Sequence, residues 1–175
     1  MPYRLYMDGV PGSEAIPLQW AVHAMYVAVE RFRATGWNLP REAFAAMGES
    51  LWWIGVVSEH LTEHYWSDYE ATLAEEPGPM QQLLDGFKFV RNRITHEVDE
   101  VGYISARAKN PSSFEAHWTW QSLPPRPDAR RNVGRADYEA EVTGHDVVET
   151  LLRASVFLGS AVNRMWSNYG QDTKS

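Results

Sequence analysis

The sequence predicts an all-α fold, a bundle of four main helices with a β-hairpin and loop inserted before the last one. Three observations predict it. Apolar residues recur at steps of three and four along four long stretches, the spacing that lines one face of an α-helix. Breaks rich in Gly and Pro separate them, notably Thr35-Gly36, Asn38-Leu39-Pro40 and Glu76-Pro77-Gly78-Pro79. Residues 100–140 differ in kind, alternating at period two before entering Leu123-Pro124-Pro125-Arg126-Pro127, which suits neither a helix nor a central strand. Four amphipathic helices bury their apolar faces most simply against one another. No internal repeat and no sustained heptad is present.

Residues 1–13 read as an irregular lead-in, with Ser13 placed to cap a first helix and Glu14 and Pro17 suited to its first turn. Along that helix Ile16, Trp20, His23, Val27 and Phe32, with Ala24, Tyr26 and Ala28, recur at helical spacing, and it should stop near Thr35-Gly36. The second and longest run carries Phe44, Met47, Leu51, Ile54, Val57, Leu61 and Tyr65 up one face and fades from Trp66 to Leu73. Gly48 and Gly55 lower its propensity but would admit a close neighbour. The third helix places Leu83, Phe87, Val90 and Ile94 in one narrow arc, a core face.

In the insertion, Val101, Tyr103 and Ser105 alternate, Lys109-Asn110-Pro111-Ser112 reads as a turn, and Phe114, Ala116, Trp118 and Trp120 alternate again. That is a hairpin pattern. Arg130, Arg131 and Arg135 then read as an extended loop. The last helix is expected from about Gly144, with Val148, Leu151, Leu152, Val156, Leu158, Val162 and Met165 on a broad apolar face and Asn168-Tyr169-Gly170 as its stop.

The chain has 175 residues, enough for one domain with a real core, and 44% are apolar. Cysteine is absent, which removes disulfides, thiolate metal sites and thiol nucleophiles. No apolar run is long enough for a membrane span, and Met1 to Leu5 does not begin a signal peptide, so the cytoplasm is the expected location. The net charge of −7 argues against a general nucleic-acid coating protein. Its distribution is uneven. From Lys88 to Arg135 there are nine Lys or Arg against five Asp or Glu, whereas the rest of the chain carries seven bases and eighteen acids. A basic region around a phosphate-bearing substrate would account for this, and so would a surface that merely varies.

The most specific chemistry lies in Arg91-Asn92-Arg93-Ile94-Thr95-His96 at the end of the third helix. A neutral imidazole can take a proton from a hydroxyl or return one to a leaving oxygen. A guanidinium can hold a phosphate bidentately and stabilise charge growing on it. Asparagine can position either group. Together they suit cleavage of an RNA phosphodiester with the ribose 2′-OH as internal nucleophile. Lys88, Asn92 and His96 succeed one another at i,i+4 and share one side of the helix. Arg91 lies roughly 140° from His96, so its length must close that gap or a partner must come from elsewhere.

This segment resembles the signature of the HEPN superfamily of helical domains: an arginine, a polar residue that is often asparagine, three variable residues and a histidine. Arg91, Asn92 and His96 match every defining position, and Phe87-Lys88-Phe89-Val90 before them and Glu97 after them have the usual character. The resemblance covers the motif closely and residues 14–98 and 142–170 by general organisation. It implies a single HEPN-like domain over residues 1–175, with an insertion at about 100–140. It also implies a homodimer whose two motifs line a shared cleft, and a metal-independent endoribonuclease leaving a 2′,3′-cyclic phosphate and a 5′-hydroxyl. In that scheme Arg91, Asn92 and His96 are catalytic, RNA is the substrate, and neither metal nor cofactor is needed. The chain would be a toxin or an antiviral defence component, with an antitoxin or regulatory protein as partner. The alternative is a non-catalytic HEPN-like module that binds RNA or a partner protein.

Lys88, Arg93, Arg126, Arg130 and Arg131 are the candidate RNA-binding cations, and Trp118 and Trp120 either stack on bases or pack the hairpin onto the bundle. His60 and His64 share a helical face at i,i+4, but no third ligand accompanies them and a metal site is not predicted. Glu59 or Glu63 is a candidate to orient Arg91 or His96 across the bundle. His23 reads as a core or interface histidine. Trp52-Trp53 must point two rings about 100° apart, and Trp20, Trp37, Trp66 and Trp166 are best explained by packing.

Overall fold

The computed structural model describes residues 15–96, 102–110 and 115–172. Its order is α1 (Ala15–Arg33), α2 (Pro40–His64), α3 (Trp66–Glu75), α4 (Met80–His96), β1 (Ile104–Ala108), β2 (Ala116–Trp120), α5 (Arg135–Glu141) and α6 (Val147–Asp172). This is an all-α bundle with a small β-hairpin inserted before the final helices. Ser13, Glu14, Glu97, Val101, Pro111, Ser112 and Phe114 lie outside the described residues.

Pro40 opens α2 at the first turn, where a missing N–H costs nothing. The expected stripe is its buried face, with Met47, Leu51, Ile54, Val57 and Leu61 buried against the neighbouring helices. Tyr65 ends α2 by leaving helical backbone, at φ −136° and ψ 42°. The run expected to fade after Trp66 is therefore a separate helix, α3. The bend seats Tyr69 in the core, edge-on to Phe157 of α6 at 5.5 Å.

The core face of α1 is rotated from the expected one. Leu18, Val22, Met25, Val29 and Phe32 are buried, whereas Trp20 (66% exposed), His23 and Val27 face outward. Both stripes have helical spacing. The choice between them belongs to α2 and α6, against which α1 packs. His23 is thus not a core histidine. Trp37 and Trp66 are also largely exposed, contrary to the packing expected of them, and only Trp166 of that group packs on the core. Of the adjacent pair, Trp53 packs against the core and Trp52 faces out.

β1 and β2 pair antiparallel, Ile104 opposite Trp120 and Ala108 opposite Ala116. Trp118 and Trp120 share the inward face and both are buried. The Trp118 indole N–H points to the Thr35 carbonyl at 3.5 Å, and that of Trp120 donates to Thr150 Oγ1 at 2.8 Å. These tryptophans clamp the hairpin to the bundle and leave no ring face for a base. The start of α6 is stitched to β2 in turn. Trp120 N–H donates to His145 O at 3.1 Å, and Asp146 caps the Glu149 N–H while its other oxygen meets His117 at 2.9 Å.

The stretch expected as an extended loop is compact. Asp128 caps a 3₁₀ turn at Ala129–Asn132 by accepting the Arg130 N–H, and Gly134 follows with φ +80°. That left-handed residue turns the chain into α5, which packs along α4. Tyr138 anchors α5, being buried and donating to Gln121 O at 2.5 Å. At the other end α6 runs through Asn168-Tyr169-Gly170 to Asp172, past its expected stop, with Met165 and Trp166 packed on the core.

Candidate functional site

The apolar arc of α4 is buried at Leu83, Phe87 and Val90, with Ile94 half-buried. Helical geometry then forces Lys88, Asn92 and His96 outward, and all three are exposed. They form one wall of an open cleft of about 660 Å³. The facing wall is the 3₁₀ turn and the start of α5, which bring Arg130, Arg131 and Asp137 to it, with Val133 and Gly134 between them. Asp85 and Phe89 line the floor beside Arg93.

Four cations and two carboxylates therefore border this cleft, along with His96. Lys88, Arg130 and Arg131 are exposed. Arg131 also lies 3.9 Å from Asp128. Arg93 is different. It is buried, its guanidinium donates to the Pro124 carbonyl at 2.5 Å and stands 6.0 Å over the Phe89 ring. It anchors the Pro-rich segment to α4 and forms wall more than reaching arm. Arg126 is not among the lining residues; its backbone is held by Asn132, which accepts the Arg126 N–H and donates to its carbonyl.

Arg91 faces the other way. Its guanidinium crosses to α2 and donates to Glu59 Oε1 at 2.9 Å, with only 15% of its side chain exposed. It lies directly over Gly55, where a Cβ would overlap Nη1, so this seat exists because residue 55 is glycine. No neighbour comes within 4 Å of the Cβ position at Gly48. Lys88 adds a second cation to Glu59 at 3.7 Å. Burial pushes the Glu59 carboxyl up, but the hydrogen bond and charge of Arg91, with the charge of Lys88, outweigh it and hold the group below its ordinary value. Arg91 keeps a long contact to the cleft side, 3.5 Å from Nη2 to Asn92 Oδ1.

A chain of hydrogen bonds links the core to the cleft floor. The Tyr69 hydroxyl donates to Gln81 at 2.8 Å, and Gln81 donates to Asp85 at 3.2 Å. Asp137, by contrast, forms no hydrogen bond or ion pair with the described residues. Asp137 falls in a segment whose local sequence reads as loop, and Gly134 before a short amphipathic run is the one signal of the helix that carries it.

His60 and His64 lie 4.7 Å apart between ring centroids, with His64 near Glu63. Among the described residues no group of three His, Asp or Glu side chains is arranged to hold a metal ion, and no helix is long and apolar enough to cross a membrane. The fold and site together define a helical-bundle protein with a mixed-charge, predominantly basic cleft along its fourth helix. No family model matches the chain, and no curated protein or solved structure matches it.

Proposed function

We propose that the cleft along α4 binds RNA and that the chain is an endoribonuclease of the HEPN type, acting as a homodimer within a toxin or antiviral system. One observation carries the reading: Lys88, Asn92 and His96 line a single cleft with Arg130 and Arg131. Exposed cations there suit phosphate, and an exposed imidazole beside them suits proton transfer. In the reaction the ribose 2′-OH gives its proton to a base and its oxygen bonds to phosphorus. The bond from phosphorus to the 5′-oxygen breaks, and that oxygen takes a proton. The products are a 2′,3′-cyclic phosphate and a 5′-hydroxyl. His96 is the proton-transfer group, Asn92 positions it or the phosphate, and Arg91 stabilises phosphate charge.

Arg91 makes the dimer part of this reading. Within one chain it is turned to Glu59, away from the cleft that holds His96. In this reading a second copy brings its Arg91 to that imidazole, and RNA phosphate is the anion that competes with Glu59 for it.

The second reading, a binding module without catalysis, is favoured by the same ion pair and by the commitment of Arg93 to Pro124. RNA cleavage in EDTA by the wild-type chain, Arg91→Ala and His96→Ala separates the two. Cleavage by wild type, lost in both folded variants, supports the nuclease. Equal activity in all three removes it. RNA binding without cleavage by wild type selects the module.

A further inference from the structure

The cleft contains one group that phosphate binding does not use and should oppose. Asp137 lines it among Lys88, Arg130 and Arg131, yet pairs with none of the described residues, whereas the other cleft carboxylate, Asp85, already accepts from Gln81. An unpaired carboxylate in a site for a polyanion costs affinity unless it meets donors on the ligand. Beside it Val133 is 78% exposed and offers an apolar contact at the cleft rim. The volume, about 660 Å³, lies within the range of roughly 300–1,000 Å³ typical of small-molecule sites.

An RNA ligand carries donors on its ribose hydroxyls and on its bases, and only those of the bases differ from one nucleotide to another. Guanine presents two adjacent N–H groups, N1–H and N2–H, which match the two oxygens of a carboxylate. Adenine and cytosine each place an acceptor nitrogen beside their amine, and uracil flanks its single N–H with carbonyls. We propose that the cleft is selective for guanine, with the Asp137 carboxylate receiving N1–H and N2–H, Val133 against the base, and Lys88, Arg130 and Arg131 on the adjoining phosphate. This rests on the RNA-binding reading of the same cleft, though not on catalysis.

Titration calorimetry with 3′-GMP, 3′-IMP, 3′-AMP, 3′-CMP and 3′-UMP tests it on the full chain. Inosine lacks only the 2-amino group. Binding of 3′-GMP about tenfold or more tighter than each of the others is expected, the discrimination of one good bidentate contact. Asp137→Asn, checked for folding by circular dichroism, should abolish the difference between 3′-GMP and 3′-IMP. It should leave binding of 3′-AMP and 3′-CMP equal or tighter, because a negative charge near phosphate has been removed. A general loss of structure would instead weaken all five. Equal affinities in the wild type, absence of nucleotide binding, or a guanine preference that survives Asp137→Asn would each overturn the proposal. Guanine selectivity without RNA cleavage would overturn only the nuclease reading, and RNA cleavage indifferent to guanine would overturn only this one.

Discussion

Arg91 reaches across from α4 to Glu59 on α2 at 2.9 Å, over the bare backbone of Gly55. This contact joins residues 32 positions apart and decides which way the first motif residue faces. Glu59 is about half exposed, so the pair is a modest stabiliser. Glu59→Gln should cost about 1 kcal/mol in urea unfolding, the size of one partly solvated charged hydrogen bond. A cost above about 3 kcal/mol would show that the pair is effectively buried.

The same pair sets a pH dependence. The folded Glu59 carboxyl lies below its ordinary value of 4.5, so its contribution is full above that value and is lost as pH falls through the lower, folded one. The stability difference between wild type and Glu59→Gln should therefore be constant near neutrality and shrink in acid. Denaturant midpoints measured from pH 7 to pH 3 give the answer, and a difference that grows toward acid contradicts it.

Gly55→Ala tests the seat itself. The overlap is with the far end of a flexible side chain, so Arg91 can swing away, and alanine gains about 1 kcal/mol of helix propensity over glycine. Stability should change by no more than about 1 kcal/mol while the coupling between Arg91 and Glu59 disappears. A double-mutant cycle of Arg91→Lys and Glu59→Gln, run in both backgrounds, measures that coupling.

Gly134 has a sharper requirement. Its φ of +80° is strained for any other residue, and a Cβ would stand 2.9 Å from the Asp85 carbonyl oxygen, a backbone atom that cannot swing aside. Gly134→Ala should cost more than about 2 kcal/mol by thermal or urea unfolding, and should weaken ligand binding by shifting the cleft wall that carries Asp137. A neutral substitution would mean that α5 is loosely held.

Two buried phenols should lower stability in alkali. Burial raises Tyr69 from 10.0 to about 12, and it raises Tyr138 further. Folding therefore favours the neutral forms; stability is full below the unfolded value near 10 and falls as pH rises toward the folded ones. Unfolding followed by circular dichroism should coincide with late tyrosinate absorbance above pH 10. Tyr69→Phe should delay it unless the lost bond to Gln81 costs more than the ionisation.

The cleft cations should register in salt dependence. Each contact from Lys88, Arg130 or Arg131 to single-stranded RNA adds roughly 0.7 to the slope of log affinity against log salt. Removing all three should lower that slope by about 2. An unchanged slope would move the RNA path elsewhere on the surface.

Much of this molecule was legible in local pattern. The buried faces of α2 and α4 follow from the three- and four-residue spacing of their apolar residues, although the break at Tyr65 that separates α2 from α3 does not. The exposed ladder of Lys88, Asn92 and His96 follows from the same periodicity, since burying one arc turns the opposite one to solvent. Alternation in Trp118 and Trp120 likewise marks a strand with one inward face. These are short-range consequences of backbone geometry, and the sequence by itself determined them. Which stripe of α1 is buried, that Arg91 faces Glu59, that Arg93 is spent on Pro124, and that α5 carries Asp137 into the cleft were decided by tertiary structure alone. Each depends on surfaces distant in the chain competing for the same contacts, and local spacing leaves such competitions equally balanced.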